Sequence, residues 1–251
     1  MHLFWKTALL ALIVVVAPAH AADEPDGAAI LAMAREAAGG DAWANAQTLQ
    51  LSGHAVFYGR AGHKPRSVAS DYRMWREFDR NRTVAHGADG KVRIIARSAE
   101  SLLFEVGYDG ETTWTERGVT PKAEADKFWA NNFGFGIIRQ ANKPGFTALR
   151  LADDTHDGHP LYMVELTDPT GGTTLFGIDQ KSGYIRTMGF RTPRGWHLRT
   201  YDDFVELANP RWVQARHVTL YYDGRKSNEV FWTNTVVNAS IDPALFTPPA
   251  E

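Results

Sequence analysis

The spacing of hydrophobic positions changes once along this chain, from a helical period to a strand period. Apolar residues recur at helical spacing over residues 26–40, with Asp26 placed to cap the first turn and Gly39-Gly40 placed to end the last. This pattern predicts a helix there and one further helical turn over residues 41–46. The apolar face of the longer helix consists of Ile30, Leu31, Met33, Ala34, Ala37 and Ala38.

From Leu49 onward, apolar and polar residues alternate, which is typical of half-buried strands. Asp-Gly or Ser-Gly pairs separate several of these runs, and Asp-Gly favours the type I′ turn of a tight hairpin. The succession of hairpins predicts a large antiparallel meander rather than a parallel α/β sheet. The predicted strands cover residues 49–57, 72–78, 102–108, 162–166, 176–178, 184–191, 197–206, 214–222 and 229–237.

One helical insertion interrupts the meander. Thr120-Pro121 has the form of a helix cap followed by proline in the first turn. A run of large apolar residues follows, and Lys143-Pro144-Gly145 ends it. Gly134 and Gly136 should break this helix, and we expect them to act as hinges. The apolar residues of the insertion are Phe128, Trp129, Phe133, Phe135, Ile137 and Ile138.

The N-terminus has the organisation of a secretory signal peptide. Lys6 precedes an unbroken apolar run over residues 8–16, which is too short to span a bilayer. Ala19-His20-Ala21 fits a small-residue cleavage site. We therefore expect residues 1–21 to be removed and residues 22–251 to form a single exported domain, and an exported chain without cysteine fits a bacterial periplasm.

Composition narrows the function classes without choosing among them. The 251 residues have a formal net charge of -2 and no basic run, so nucleic acid is not an expected partner. The lack of cysteine excludes a disulfide framework, a thiolate metal site and a cysteine nucleophile. Signatures such as G-x-S-x-G, a phosphate-binding loop and H-E-x-x-H are not found either.

Three segments of the chain resemble LolA-like outer-membrane lipoprotein-sorting proteins. Residues 37–43, followed by Leu49, Leu51 and Gly53, resemble the point where that family's first helix ends in Gly-Gly and its sheet begins. Ile178-Asp179 with Ser182-Gly183 resembles a mid-chain hairpin of the family. Residues 238–249 resemble its C-terminal pattern N-x-x-I-D-x-x-x-F-x-P.

The resemblance implies a mainly β (α+β) fold: an open, curved antiparallel sheet, or incomplete β-barrel, of about eleven strands. An N-terminal helix and a helical lid would cover its concave face. The family's cavity holds acyl chains or other hydrophobic ligands, which makes this chain similar to periplasmic carriers with transient envelope partners. It implies no cofactor, metal or catalytic residue. The expected cavity and lid residues are Phe128, Trp129, Phe133, Phe135, Ile138, Trp75, Phe104, Tyr222 and Trp232.

Two alternatives remain open at this point. Many aromatic residues in a β protein form an ordinary packed core, in which case the chain would be an envelope assembly factor with a filled cavity. The same fold could also support an enzyme, and the residues suggest His217 with Glu206 or Asp203 as its polar cluster.

Two polar groups have competing interpretations. His156-Asp157-Gly158-His159, with Asp153 and Asp154, resembles a metal site, but a hydrophilic hairpin turn is the favoured interpretation. Arginines on the early strands form either a solvated face, which is favoured, or a cavity rim that meets lipid headgroups. These arginines are Arg73, Arg76, Arg80, Arg82 and Arg93.

Overall fold

A computed structural model describes residues 24–132 and 134–249, and these residues form one open, curved antiparallel sheet with few helices. The predicted signal peptide, residues 1–21, lies outside the described residues, as does Phe133. Over the described residues the sheet has fourteen strands, more than the eleven expected. The additional strands are mostly short segments of two to four residues near the sheet edges, where alternation is too brief to detect.

The strands follow the chain in an almost uninterrupted meander. In space their order is β6-β5-β4-β3-β2-β1-β14-β13-β12-β11-β10-β9-β7, and β8 pairs with β9 beside this path. The bounds are β1 Thr48–Tyr58, β2 Pro65–Glu77, β3 Lys91–Arg97, β4 Leu102–Tyr108, β5 Thr113–Thr115, β6 Gly118–Val119, β7 Thr147–Arg150, β8 Asp154–His156, β9 His159–Thr167, β10 Thr173–Asp179, β11 Ile185–Thr192, β12 Gly195–Ala208, β13 Arg211–Tyr222 and β14 Arg225–Val237.

The first and last strands pair at the centre of the sheet. Leu49 of β1 lies opposite Val237 of β14, and the pairing continues to Phe57 opposite Asn228. Irregularities in register occur within the β1–β2 and β1–β14 pairs, and such bulges bend a sheet and increase its twist. The long central strands therefore curve around a concave face on which the main hydrophobic cluster lies.

Local signals predicted the ends of several elements correctly. Helix α1, Gly27–Ala38, begins after Asp26, whose carboxylate accepts from the Ala29 amide at 2.8 Å. Helix α2 covers Asp41–Ala44. At the hairpin turns, Asp157-Gly158 and Asp223-Gly224 have positive φ at both residues, as a type I′ turn requires. Strand β3 was not predicted, although Val92, Ile94 and Ala96 alternate along it.

The insertion consists of two helical pieces. Helix α3 covers Lys122–Asn132, and a 3₁₀ segment covers Phe135–Gln140, so the predicted break at the glycines is confirmed. A second 3₁₀ turn, Pro243–Phe246, buries Phe246 near the C-terminus. Among the described helices, none combines the length and apolarity needed to cross a bilayer.

Candidate functional site

A cavity of about 370 Å³ lies between the concave face of the sheet and the helical insertion. This volume is within the range of small-molecule binding sites. Most of its wall is aliphatic or aromatic, with contributions from β1, β2, β4, β13 and β14. Representative wall residues are Leu51, Phe57, Met74, Phe104, Val218 and Trp232.

The two ends of this cavity differ in exposure. Trp212 and Tyr222 both line it and stand near opposite ends of β13, roughly 33 Å apart along an extended strand of that length. At the Trp212 end, the buried Trp43 of α2 closes the wall. At the Tyr222 end, Arg194 lines the cavity and is exposed. We call the part beside α2, where Trp43 and Trp212 are buried, the closed end, and the part beside the β11–β12 hairpin, where Arg194 is exposed, the open end.

Five of the nine expected site residues line the cavity: Phe128, Phe135, Phe104, Tyr222 and Trp232. Trp129 and Ile138 are buried in the core instead, and the Trp129 indole donates to the Thr113 hydroxyl at 2.8 Å. Trp75 is not a lining residue, because the neighbouring Met74 and Arg76 face the cavity and side chains alternate along a strand. Phe133 lies outside the described residues.

The 3₁₀ segment of the predicted lid is deeply buried, whereas most of α3 is exposed. Ile137, Ile138, Arg139 and Gln140 of the 3₁₀ segment are all buried, while Phe128 of α3 remains 37 % exposed. Gly134 and Gly136 permit this close packing. A Cβ on Gly136 would lie 2.6 Å from Asp89 Oδ2, and one on Gly134 would lie 2.8 Å from Phe190 Cε1. The structure thus gives both glycines a packing role.

Beneath the 3₁₀ segment lies a buried cluster of three guanidinium groups and one carboxylate. Arg76 donates to Asp89 Oδ2 with an N···O distance of 2.5 Å, and Arg82 Nη1 lies 3.1 Å from the same oxygen in an ion pair. Arg82 also donates to the carbonyl of Val84 at 2.7 Å and to that of Ala85. Burial opposes ionisation of Asp89, yet the two guanidinium groups hold its pKa below the usual value. The solvated face expected for the early arginines is therefore wrong for Arg76 and Arg82.

Arg139 is the third guanidinium of this cluster, and it lines the closed end of the cavity together with Arg76. Its ring neighbours are Phe78, Trp43 and Trp212, whose centroids lie 3.9, 4.9 and 5.1 Å from the guanidinium carbon. Arg139 Nε and Nη1 are buried without a hydrogen-bond partner among the described residues. Burial, with the nearby charge of Arg76, lowers the pKa of Arg139 to about 9, so the group is cationic at neutral pH.

At the open end, strand residues anchor the end of α3. The Tyr222 hydroxyl donates to the Asn131 carbonyl at 2.7 Å, and His197 Nδ1 lies 2.9 Å from the same oxygen. Arg199 donates to the Asn132 carbonyl at 2.6 Å. The insertion is attached to the sheet by side-chain contacts at both ends of the cavity. It can therefore hold its lining residues in place against a ligand although it is not a strand of the sheet.

The polar cluster suggested for an enzyme does not form. His217 Nε2 lies 3.3 Å from Glu229, whereas Glu206 accepts from the Tyr184 hydroxyl and Asp203 from Arg216. His217 also stacks on Phe231 and so faces away from the cavity that Val218 lines.

The histidine-rich turn is the β8–β9 hairpin, as predicted. His159 Nδ1 lies 3.0 Å from Asp179, while Asp153 is paired with Arg150. Donor atoms of His156, Asp157 and Asp202 lie within 4.8 Å of one another, but Asp202 already accepts from Arg186 at 3.2 Å. That this turn binds no metal stays a prediction.

Comparison with solved structures identifies the fold. The chain is similar to a LolA superfamily protein from Nitrosomonas europaea, at 12% identity and a TM-score of 0.55, over 89% of this chain and 98% of the other. It is also similar to a DUF1329 family protein from Desulfovibrio piger, at 11% identity and a TM-score of 0.58, over 88% and 95%. No protein-family model and no curated protein matches the sequence. The chain therefore has the LolA-like fold that its sequence motifs predicted.

Proposed function

We propose that this protein is a periplasmic carrier that encloses the hydrophobic part of a lipid or lipoprotein between its curved sheet and its helical insertion. The observation that supports this most directly is the cavity, whose lining residues are buried at the closed end and include an exposed arginine at the open end. The wall is aromatic and aliphatic along the central strands, and such a wall suits an acyl chain better than a polar substrate.

Burial of the chain would supply the binding energy. Each methylene group removed from water contributes about 0.8 kcal/mol, so several buried methylenes give useful affinity without any catalytic group. Release would require displacement of α3 near the open end, where Phe128 is already partly exposed. Lipoprotein cargo and transient envelope partners are further parts of this proposal, and the LolA-like fold supports both.

Export belongs to the same proposal. The cleavable N-terminus predicted over residues 1–21 would deliver the chain to the periplasm, where a carrier could move between two membranes.

The proposal can be tested with a neutral naphthylamine dye whose fluorescence rises in apolar surroundings. We expect saturable binding by the wild-type protein and a loss of about tenfold in affinity for Phe128→Ala, since an aromatic side chain contributes about 1.5–3 kcal/mol when covered. Leu149→Ala is the matched control, because Leu149 is 58% exposed and does not line the cavity. A wild-type protein that binds no apolar probe would contradict the proposal.

A further inference from the structure

At the closed end of the cavity, Arg139 is a buried cation that forms no ion pair with a carboxylate of the described residues. Arg76, Arg82 and Arg139 bring three guanidinium groups into one buried cluster, and Asp89 is the carboxylate among them. Asp89 uses one oxygen for Arg76 and Arg82, and its other oxygen accepts from the Asp79 amide at 3.3 Å. No carboxylate of the described residues forms an ion pair with Arg139.

Such an arrangement is costly unless something else pairs with the charge. A buried cation is normally compensated by a counter-charge and by hydrogen bonds to each donor. The guanidinium carbon of Arg139 lies over three aromatic rings in cation–π contacts, and these rings offer no acceptor to Nε and Nη1. Those donors point along the plane of the group, which is the direction in which arginine binds carboxylate or phosphate through two hydrogen bonds.

We infer that the ligand of this cavity is an anionic single-chain amphiphile, whose carboxylate or phosphate headgroup binds Arg139 at the closed end while its tail extends towards Phe128 and Tyr222. This inference rests on the proposed function, because it uses the same cavity and specifies the chemistry of its cargo. It places the headgroup inside and the tail outermost.

The opposite orientation has its own candidate group. Arg194 lies at the open end, exposed, with its guanidinium carbon 4.2 Å from the centre of the Tyr222 ring. A headgroup at the open end would bind Arg194 in high-dielectric surroundings, where one ion pair contributes little. Arg139 is buried and its pairing is not screened by water, so the closed end should discriminate headgroups more strongly.

The test compares three probes of equal tail length by isothermal titration calorimetry: dodecanoate, dodecyl phosphate and dodecanol. Wild-type protein should bind at least one anionic probe tenfold or more tightly than dodecanol, and the preferred anion distinguishes a carboxylate from a phosphate headgroup. Arg139→Met should lower the affinity for that anion by tenfold or more and change the affinity for dodecanol less than threefold. Arg194→Met, which removes the same charge from the open end, should keep the wild-type preference for that anion over dodecanol.

The outcomes separate the two proposals. Equal binding of dodecanol and both anions would overturn the headgroup inference and leave the carrier function standing. Loss of anion binding in Arg194→Met, but not in Arg139→Met, would also overturn it by placing the headgroup at the open end. Failure of all three probes to bind would contradict both proposals. If Arg139→Met does not fold, wild-type protein and Arg194→Met still test the inference, because an anion preference that persists in Arg194→Met cannot come from the open end.

Discussion

The hydroxyl of Tyr222, on the last residue of β13, donates to the carbonyl of Asn131 at 2.7 Å near the end of α3. Carbonyl groups at the end of a helix lack intrahelical donors, so a strand side chain that supplies one stabilises the helix end. His197 Nδ1 lies 2.9 Å from the same oxygen. The end of α3 is therefore attached to the sheet at the open end of the cavity.

Tyr222→Phe removes this hydrogen bond and keeps the aromatic wall. We expect the free energy of unfolding to fall by about 0.5–1.5 kcal/mol, the usual net value of one hydrogen bond. Amide hydrogen exchange over α3 should accelerate by a corresponding factor. Tyr221→Phe is the control, because the Tyr221 hydroxyl makes no hydrogen bond within the described part of the chain. Equal effects of the two substitutions would show that the attachment does not stabilise α3.

Two histidines next to Phe190 make stability dependent on pH. His86 and His197 stack on the Phe190 ring at centroid distances of 4.1 and 4.5 Å. Burial lowers the pKa of His197 to about 2 and that of His86 to about 4, each from an ordinary value of 6.5. Both are thus neutral in the folded state, whereas the unfolded chain binds protons below pH 6.5.

Because both pKa values are lowered in the folded state, the protein loses stability as the pH falls. The stability that depends on neutral His197 is fully present above pH 6.5 and is lost progressively as the pH falls below it. For this fully buried group the loss approaches about 1.4 kcal/mol per pH unit. The free energy of unfolding, measured by urea denaturation at several pH values between 7 and 5, should fall less steeply with decreasing pH in His197→Gln than in wild type. His86→Gln should reduce this pH dependence in the same direction. An unchanged slope in both variants would contradict the assignment.

Asp89→Asn tests whether the carboxylate is needed to hold the arginine cluster together. The substitution preserves shape but removes the carboxylate that forms ion pairs with Arg76 and Arg82, so we expect a loss of about 3–5 kcal/mol in the free energy of unfolding. Because the pKa of Asp89 is lowered in the fold, its contribution is present at neutral pH and disappears as acid protonates the carboxylate.

Asp126→Asn provides the comparison for this prediction. Asp126 forms an exposed ion pair with Lys122 at 2.8 Å on α3, and exposed pairs of this spacing contribute little to stability because water screens them. Denaturation midpoints of the two variants at neutral pH should therefore differ widely. Similar midpoints would mean that the cluster is compensated by groups other than Asp89.

The features that the sequence predicted correctly, such as helix caps and hairpin turns, depend on residues close together in the chain. Asp26 caps α1 through an amide three residues away, and Asp157-Gly158 needs only its own backbone angles. Arg139 could not be placed in this way, since Trp43, Phe78 and Trp212 come from three distant segments. One local signal was available: Arg139 directly follows the apolar pair Ile137-Ile138, where a charged residue needs a special partner.

The sequence also did not fully predict which side of the sheet each strand side chain faces. Alternation divides β2 into two sets but does not decide which set faces the cavity when both contain large residues. Trp75 and Met74 are both large and apolar, and only the packing of the fold shows that Met74 lines the cavity. Aromatic content alone therefore could not show which face of β2 carries Trp75.

Substitution of Gly136 in the insertion distinguishes a flexible hinge from a site that needs glycine for close packing. Gly136 has no positive φ, so alanine would be acceptable to the backbone, but its Cβ would lie 2.6 Å from Asp89 Oδ2 and 3.1 Å from Arg82 Nη1. Neither neighbour can move without disturbing the arginine cluster. Gly136→Ala should therefore destabilise the protein by about 1–3 kcal/mol, the usual cost of overpacking.

Gly87→Ala is the matched control, because it adds a methyl group whose nearest neighbour is 3.9 Å away. Its thermal midpoint should remain close to that of wild type, while the midpoint of Gly136→Ala should fall by several degrees. A hinge would behave differently: alanine would leave the midpoint nearly unchanged and slow the association and release of an apolar dye, because a less flexible backbone opens less often. Stopped-flow dye kinetics and the thermal midpoint, measured on the same two variants, therefore separate the roles, and the 2.6 Å approach to Asp89 leads us to expect the loss of midpoint.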